Sequence, residues 1–300
     1  MKRIKKFFQY GNVGIIFVLP ALIYMIIFVG YPIISNFILS LQNVTVKTLN
    51  SNVKPFVGLD NYILLFHDKV LQKSVYNTCL FTVLSLVFQF ALGFLLALFF
   101  YKKFSLSKPI RGLLMIPWMI PMTITALMFK FMFSSNVGII NQLLQAAHLI
   151  SKPVEWLITP SSAMFALIFT NTWIGIPFNM ILLSSGLTLI PTELYESASL
   201  DGANKIQMLF KITIPLLKST IQSVLILGFI YTFKVFDLVY VMTNGGPVNS
   251  THLLSTYSYK LSFNLFQYSK GATVANILFV ILFCVSLVYL KFTYSDEEDA

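Results

Sequence analysis

Apolar and polar positions along this chain fall into blocks rather than alternating. Charged residues are absent from 11–46, 74–101, 112–129, 156–192 and 271–290. A sixth apolar block, 219–242, is interrupted only by Lys234 and Asp237. A helix needs about 20 apolar residues to cross a bilayer. Within hydrocarbon the backbone must satisfy its own hydrogen bonds, which a helix does alone. The blocks therefore predict an all-α integral membrane fold with six spanning helices, near 14–41, 75–101, 111–133, 163–189, 219–243 and 271–291. They form one transmembrane domain over 1–300, with a polar segment at 191–217 between the fourth and fifth spans. The short alternating strands of a membrane barrel are absent. Pro20, Pro32, Pro117, Pro121 and Pro177 lie inside predicted spans. Each removes a helix hydrogen bond and bends the axis, either for packing or to shape a pathway.

Composition rules out a soluble fold. The chain is 57% hydrophobic and 11% charged, with mean hydropathy +0.79, where a soluble domain carries roughly 25% charge. The positive residues set the orientation. With the N-terminus inside, inner segments hold Lys2, Arg3, Lys5, Lys6, Lys102, Lys103, Lys108, Arg111, Lys205, Lys211, Lys218 and Lys291, twelve of 21. The longer outer loops, 44–73, 134–162 and 244–270, hold seven. Both termini and the 191–217 segment are thus expected in the cytoplasm. The net charge of +10 suits anionic lipid headgroups and calls for no nucleic acid. The basic start precedes an apolar run too long for a cleaved signal peptide, so the first span is expected to be retained. The acidic tail from Ser295 is expected to be a solvated end.

The chemistry of an enzyme is missing. No phosphate-binding glycine loop, His-Glu-x-x-His, Gly-x-Ser-x-Gly or Cys-x-x-Cys occurs. Cys79 and Cys284 fall within spans, and His67, His148 and His252 have no ligand spacing, so no metal site is expected. Lys234 and Asp237 stand three apart, which on a continuous helix is one face. Charges in a span cost at least about 2.5–3.5 kcal/mol each near mid-bilayer. They either neutralise each other or line a pathway. Lys130, near the end of the third span, can reach the interface.

The most specific signal is the polar segment. Glu196 and Ala198 form a Glu-x-Ala pair, Gly202 follows the Glu by six, and Ile212-Thr-Ile-Pro215 begins ten residues after that Gly. This resembles the cytoplasmic "EAA" coupling loop of binding-protein-dependent ABC importers: Glu-Ala-Ala, three residues, Gly, nine residues, Ile-x-Leu-Pro. Ser197 and Ile214 replace the middle Ala and the Leu, with every spacing kept. Asn171-Thr-Trp-Ile-Gly-Ile-Pro-Phe178, Phe236-Asp-Leu-Val-Tyr-Val-Met-Thr-Asn-Gly-Gly-Pro247, Leu254-Ser-Thr-Tyr-Ser-Tyr259 and Val57-Gly-Leu-Asp-Asn-Tyr62 extend the resemblance to carbohydrate-importer permeases. It is similar in particular to the larger permease subunit of maltose importers, in the shorter six-span form of multiple-sugar, raffinose and glycerol-phosphate importers.

The resemblance implies a subunit of an ATP-driven importer in the bacterial cell membrane. Its implied partners are a second homologous permease, two ATP-binding subunits, an extracellular solute-binding protein, lipid and a sugar, with ATP and Mg held by the ATPase subunits and no cofactor in this chain. Glu196, Ala198, Leu200, Asp201, Gly202, Ala203, Met208, Phe210, Ile212 and Pro215 would then serve coupling. Glu196 would meet a basic group, and Leu200, Ala203, Met208 and Phe210 would fill an apolar cleft. The sugar positions carried over are Asn171, Ile174, Gly175 and Phe178 on the fourth span, and Gly228, Tyr231, Thr232 and Val235 on the fifth. Phe178, Gly228, Thr232 and Val235 stand where the maltose relative has Tyr, Ser, Asn and Asn, which leaves an oligosaccharide or related polyol as the implied solute. A permease for glycerol phosphate or another anionic solute, with Lys234 as anion partner, is the alternative. An ion-coupled secondary transporter is a remoter one, since it needs buried carboxylates and only Asp237 is at hand.

Overall fold

The computed structural model describes residues 13–51, 54–102 and 104–298. The basic residues 2–6, Lys103 and the last two tail positions lie outside them, as do the side chains beyond 291. Helix α1 (Val13–Met25) passes through a π turn (Ile26–Gly30) into α2 (Tyr31–Ser40). Then follow α3 (Asp60–Phe66), α4 (Lys69–Tyr101), α5 (Ser107–Leu114), α6 (Ile116–Met119), α7 (Met122–Met132), α8 (Ile139–Ala146) and α9 (Pro160–Thr188). The polar segment forms α10 (Thr192–Leu200), α11 (Lys205–Met208), a π turn (Leu209–Thr213) and α12 (Ile214–Leu216). The chain continues as α13 (Lys218–Phe233), α14 (Asp237–Met242), α15 (Leu254–Tyr259), a π turn (Lys260–Asn264) and α16 (Tyr268–Glu298). Among the described residues there is no strand, only an isolated bridge between Gln42 and Phe56.

Among the described residues, four helices are long and apolar enough to span: Phe17–Ser40, Lys69–Tyr101, Pro160–Thr188 and Tyr268–Lys291. They match four of the six expected spans. The other two are not continuous. The span expected at 111–133 bends by 93° between Met119 and Met122. Pro121 causes this, since it disfavours a helical Ile120, which is extended at ψ 133°. The span expected at 219–243 ends at Phe233 and resumes at Asp237. No proline marks that break. Ser255 Oγ donates to the freed carbonyl of Val235, and Lys130 Nζ donates to Val241 O at 2.9 Å, tying α14 to α7. Lys130 thus has a structural partner that the sequence did not reveal. A 69° bend also separates Lys205–Leu216 from Lys218–Phe233. Pro32 and Pro215 each follow a π turn, where the widened turn leaves room for the proline ring against the preceding carbonyls.

The described chain divides into two compact units. One comprises the residues up to His67 with Ser258–Ile277, the other Asp68–Tyr257 with the residues from Leu278 on. In the first, the Val57-to-Tyr62 motif acts as a clasp. Gly58 takes φ +56°, and Asn61 Nδ2 donates to the carbonyls of Ser40 and Gln42 at 2.8 Å. Asn276 Nδ2 donates to the Tyr62 hydroxyl, which also pairs with Ser40 Oγ.

The second unit holds the main core. Phe81, Phe129, Phe133, Leu167, Leu238 and Leu253 are buried together, and Ala97, Leu183, Leu187, Leu217 and Val224 form a second cluster. α4 and α9 approach closely at Gly93, where a Cβ would lie 2.5 Å from Asn179 Cβ. Small residues at such crossings are the usual device of membrane helices. Asp68 caps α4 by accepting from Val70 N at 2.7 Å, and the Tyr257 hydroxyl donates to its other oxygen. Burial first, then that bond, push the Tyr257 phenol pKa up.

Candidate solute cavity and coupling segment

All eight carried-over positions line one cavity. Asn171, Ile174, Gly175 and Phe178 come from α9. Gly228, Tyr231 and Thr232 come from α13, and Val235 from the break that follows it. Together they enclose about 180 Å³. The wall is completed by Gln89 of α4, Trp118 of α6, Met122 of α7 and Asn179 of α9, none of which the sequence singled out. Trp118 and Met122 reach it because the chain turns at Ile120 and Pro121. Gln89 had one sequence signal: it is the only amide in α4 beyond Asn77.

Part of the cavity lining is aromatic. Trp118 and Phe178 stack at 6.0 Å and 20°, and Phe178 meets Tyr231 edge-on at 6.1 Å. Tyr231 is 59% exposed. Amides line it as well. Asn171 is 4% exposed and its Nδ2 is buried without a partner among the described residues. Gln89 Nε2 donates to the Asn171 carbonyl at 2.9 Å. Asn179 Nδ2 donates to Gly175 O at 2.9 Å. Aromatic rings and amides in one lining suit a solute with both C–H surface and hydroxyls. A larger groove of about 510 Å³ lies between α4 and α9 on Leu84, Phe88, Phe165, Phe169 and Trp173. It offers a sugar almost nothing to bond.

Lys234 and Asp237 do not share a helix face. Lys234 ends α13 and Asp237 begins α14, both are exposed, and among the described residues neither carries an ion pair. The neutralising pair is therefore replaced by two separate charges, because the helix stops between them. Lys234 Nζ lies 5.3 Å from the Tyr231 ring centroid, at the cavity's edge, within cation–π range.

The polar segment folds as helix, turn, helix. α10 carries Glu196, Ala198 and Leu200. It closes with the Ala203 N–H bonded to Ala198 O and the Gly202 N–H bonded to Ser199 O, the paired bonds of a left-handed C-terminal cap. Gly202 takes φ +79°, with nothing within 4 Å of where a Cβ would stand. Asn204 and Gln207 then cap α11 reciprocally. Tyr195 OH pairs with Thr213 Oγ1 at 3.0 Å, holding the two arms together. Glu196, Asp201 and Pro215 are exposed, and Ala198, Ala203, Met208 and Ile212 half-buried. Leu200 is 90% exposed and Phe210 63%. Ile206 is exposed as well. Among the described residues no group of three His, Cys, Asp or Glu could hold a metal.

Residues 89–292 match the family model described as binding-protein-dependent transport system inner membrane component. The chain is 35% identical to the probable ABC transporter permease protein YurN of Bacillus subtilis, over 95% of this chain and 97% of the relative. It is 33% identical to the trehalose/maltose transport system permease protein MalF of Thermococcus litoralis, over 95% and 94%. It is 34% identical to the sulfoquinovosyl glycerol transport system permease protein SmoG of Agrobacterium fabrum, over 79% and 76%. A solved bacterial ABC transporter involved in the import of the acidic polysaccharide alginate superposes with TM-score 0.81 at 25% identity, over 98% of each chain. On the family match and on relatives aligned along almost their whole length, the chain belongs to the inner-membrane components of binding-protein-dependent transport systems.

Proposed function

We propose that this chain is a permease subunit of an ATP-driven importer, and that its cavity passes a sugar, an oligosaccharide in the first instance, from an extracellular binding protein. Membership of the family makes it a transport component rather than an enzyme. The observation that carries the solute class is the cavity: seven positions from two helices and Val235 from the break after the second meet there, and the lining holds both aromatic rings and amides. Its volume of about 180 Å³ is below the ~300–1,000 Å³ of a complete ligand pocket. A second homologous permease would supply the rest. The trehalose/maltose and alginate relatives support a carbohydrate.

In the same reading α10 to α12 face the cytoplasm and dock into an ATPase subunit, which holds ATP and Mg. The exposed Leu200, Ile206 and Phe210 would enter an apolar cleft there, and Glu196 would meet a basic group. Closure of the ATPase dimer would move these helices and, through α13, the cavity wall. Both termini are placed on the cytoplasmic side of a bacterial plasma membrane, as the lysine distribution suggests.

One observation favours an anionic solute instead. Lys234 stands exposed beside Tyr231, where it could meet a phosphate or carboxylate. The complete transporter, with its binding protein, separates the two. Solute-stimulated ATP hydrolysis with maltose, trehalose or raffinose supports the neutral-sugar reading. Stimulation by glycerol 3-phosphate alone would replace it with the anionic one.

A further inference from the structure

Gln89 belongs to none of the positions carried over from the family resemblance, yet the structure gives it a distinctive place. It is 4% exposed and lies in the cavity wall. Its seat is Gly175, where a Cβ would stand 2.3 Å from Gln89 Cδ, so the amide lies flat on the backbone of α9. The Asn171 carbonyl can only accept, which fixes Nε2 toward it and leaves Oε1 turned to other partners. Among the described residues that bond is the only one Gln89 makes. Oε1 has no partner among them, and it is not one of the atoms buried away from solvent, so the wall of the cavity keeps a free acceptor.

We propose that Gln89 contacts the solute and helps set its specificity. Oε1 accepts from a solute hydroxyl, the group that recurs around a sugar ring. The proposal rests on the sugar-permease reading above.

The test has two arms on the complete transporter with its second permease, ATPase subunits and binding protein. Gln89→Met keeps length and removes both polar atoms. With complex yield equal to wild type, its KM for uptake of maltose, trehalose or raffinose is expected to rise about tenfold or more, as when a site's hydrogen-bonding group is lost. The second arm needs no solute. Gln89→Cys is made in a chain carrying Cys79→Ser and Cys284→Ser, and the complex is treated with a water-soluble methanethiosulfonate in nucleotide-free and ATP–vanadate states. Labelling in either state, absent without the Gln89→Cys change, supports a pathway position. Wild-type kinetics in Gln89→Met, or no labelling in both states, overturns the proposal. If the wild type takes up none of the three sugars, the sugar reading fails, and the labelling arm alone decides Gln89.

Discussion

Asn171 lines the cavity and holds a buried Nδ2 with no partner among the described residues. A turn of this side chain toward the cavity would let a hydroxylated solute supply the partner. Asn171→Ala should therefore weaken solute binding by about 1–3 kcal/mol, read as a raised KM for uptake at normal complex yield. Unchanged kinetics would remove Asn171 from the pathway. Lys234 and Asp237 make the opposite case. With the two charges exposed on separate helices, Lys234→Ala and Asp237→Ala should each assemble at wild-type yield. Each should cost within about 0.5 kcal/mol, as surface changes do, with no rescue in the double. Loss of assembly in the singles that the double restores would reinstate the pair. At this scale the resemblance marked the α9 positions inside a quoted motif and the α13 positions just ahead of one, and both sets line one cavity. It did not mark Gln89, whose partner Asn171 is 82 residues away and whose one signal, an amide in an apolar stretch of α4, does not name that partner.

Among the elements, the long uninterrupted helices were legible because an apolar block of sufficient length has one stable state in lipid. The bend at Ile120 and Pro121 had its proline in view. The break from Lys234 to Phe236 had none, and it depends on Ser255 and Lys130, which come from elsewhere in the chain. The turn at Gly202 was legible, since only a glycine adopts φ +79° freely. Space around that glycine is open within this chain, so a side chain there strains the backbone by about 1–2 kcal/mol without colliding with its own fold. Gly202→Asp should yield an inserted protein that binds the ATPase subunit weakly and does not transport. Normal pull-down of the ATPase with normal uptake would withdraw the coupling role. At the start of α4, Tyr257→Phe deletes one donor to the capping Asp68. Thermal unfolding of the purified complex should shift down by the equivalent of about 1.5–3 kcal/mol, as for a hydrogen bond to a charged group. An unchanged midpoint would mean that water replaces the phenol.

For the whole molecule, composition alone placed the chain in lipid. The loop spacing placed it in a family that the model match over 89–292 bears out. What the sequence could not give is the shape of the cavity, because that depends on two bent helices and on side chains brought together from α4, α6, α7, α9 and α13. The central claim is that this cavity carries a sugar under the control of ATP acting through the 192–216 helices. The most direct measurement is accumulation of radiolabelled maltose and trehalose in proteoliposomes holding the complete transporter, with binding protein outside and ATP at the ATPase side. It is compared with the same vesicles without ATP and with vesicles carrying Asn171→Ala plus Tyr231→Ala. The account predicts uptake that requires ATP and is lost in the double variant at equal reconstitution. Uptake that proceeds without ATP, or that the double variant leaves unchanged, would contradict it.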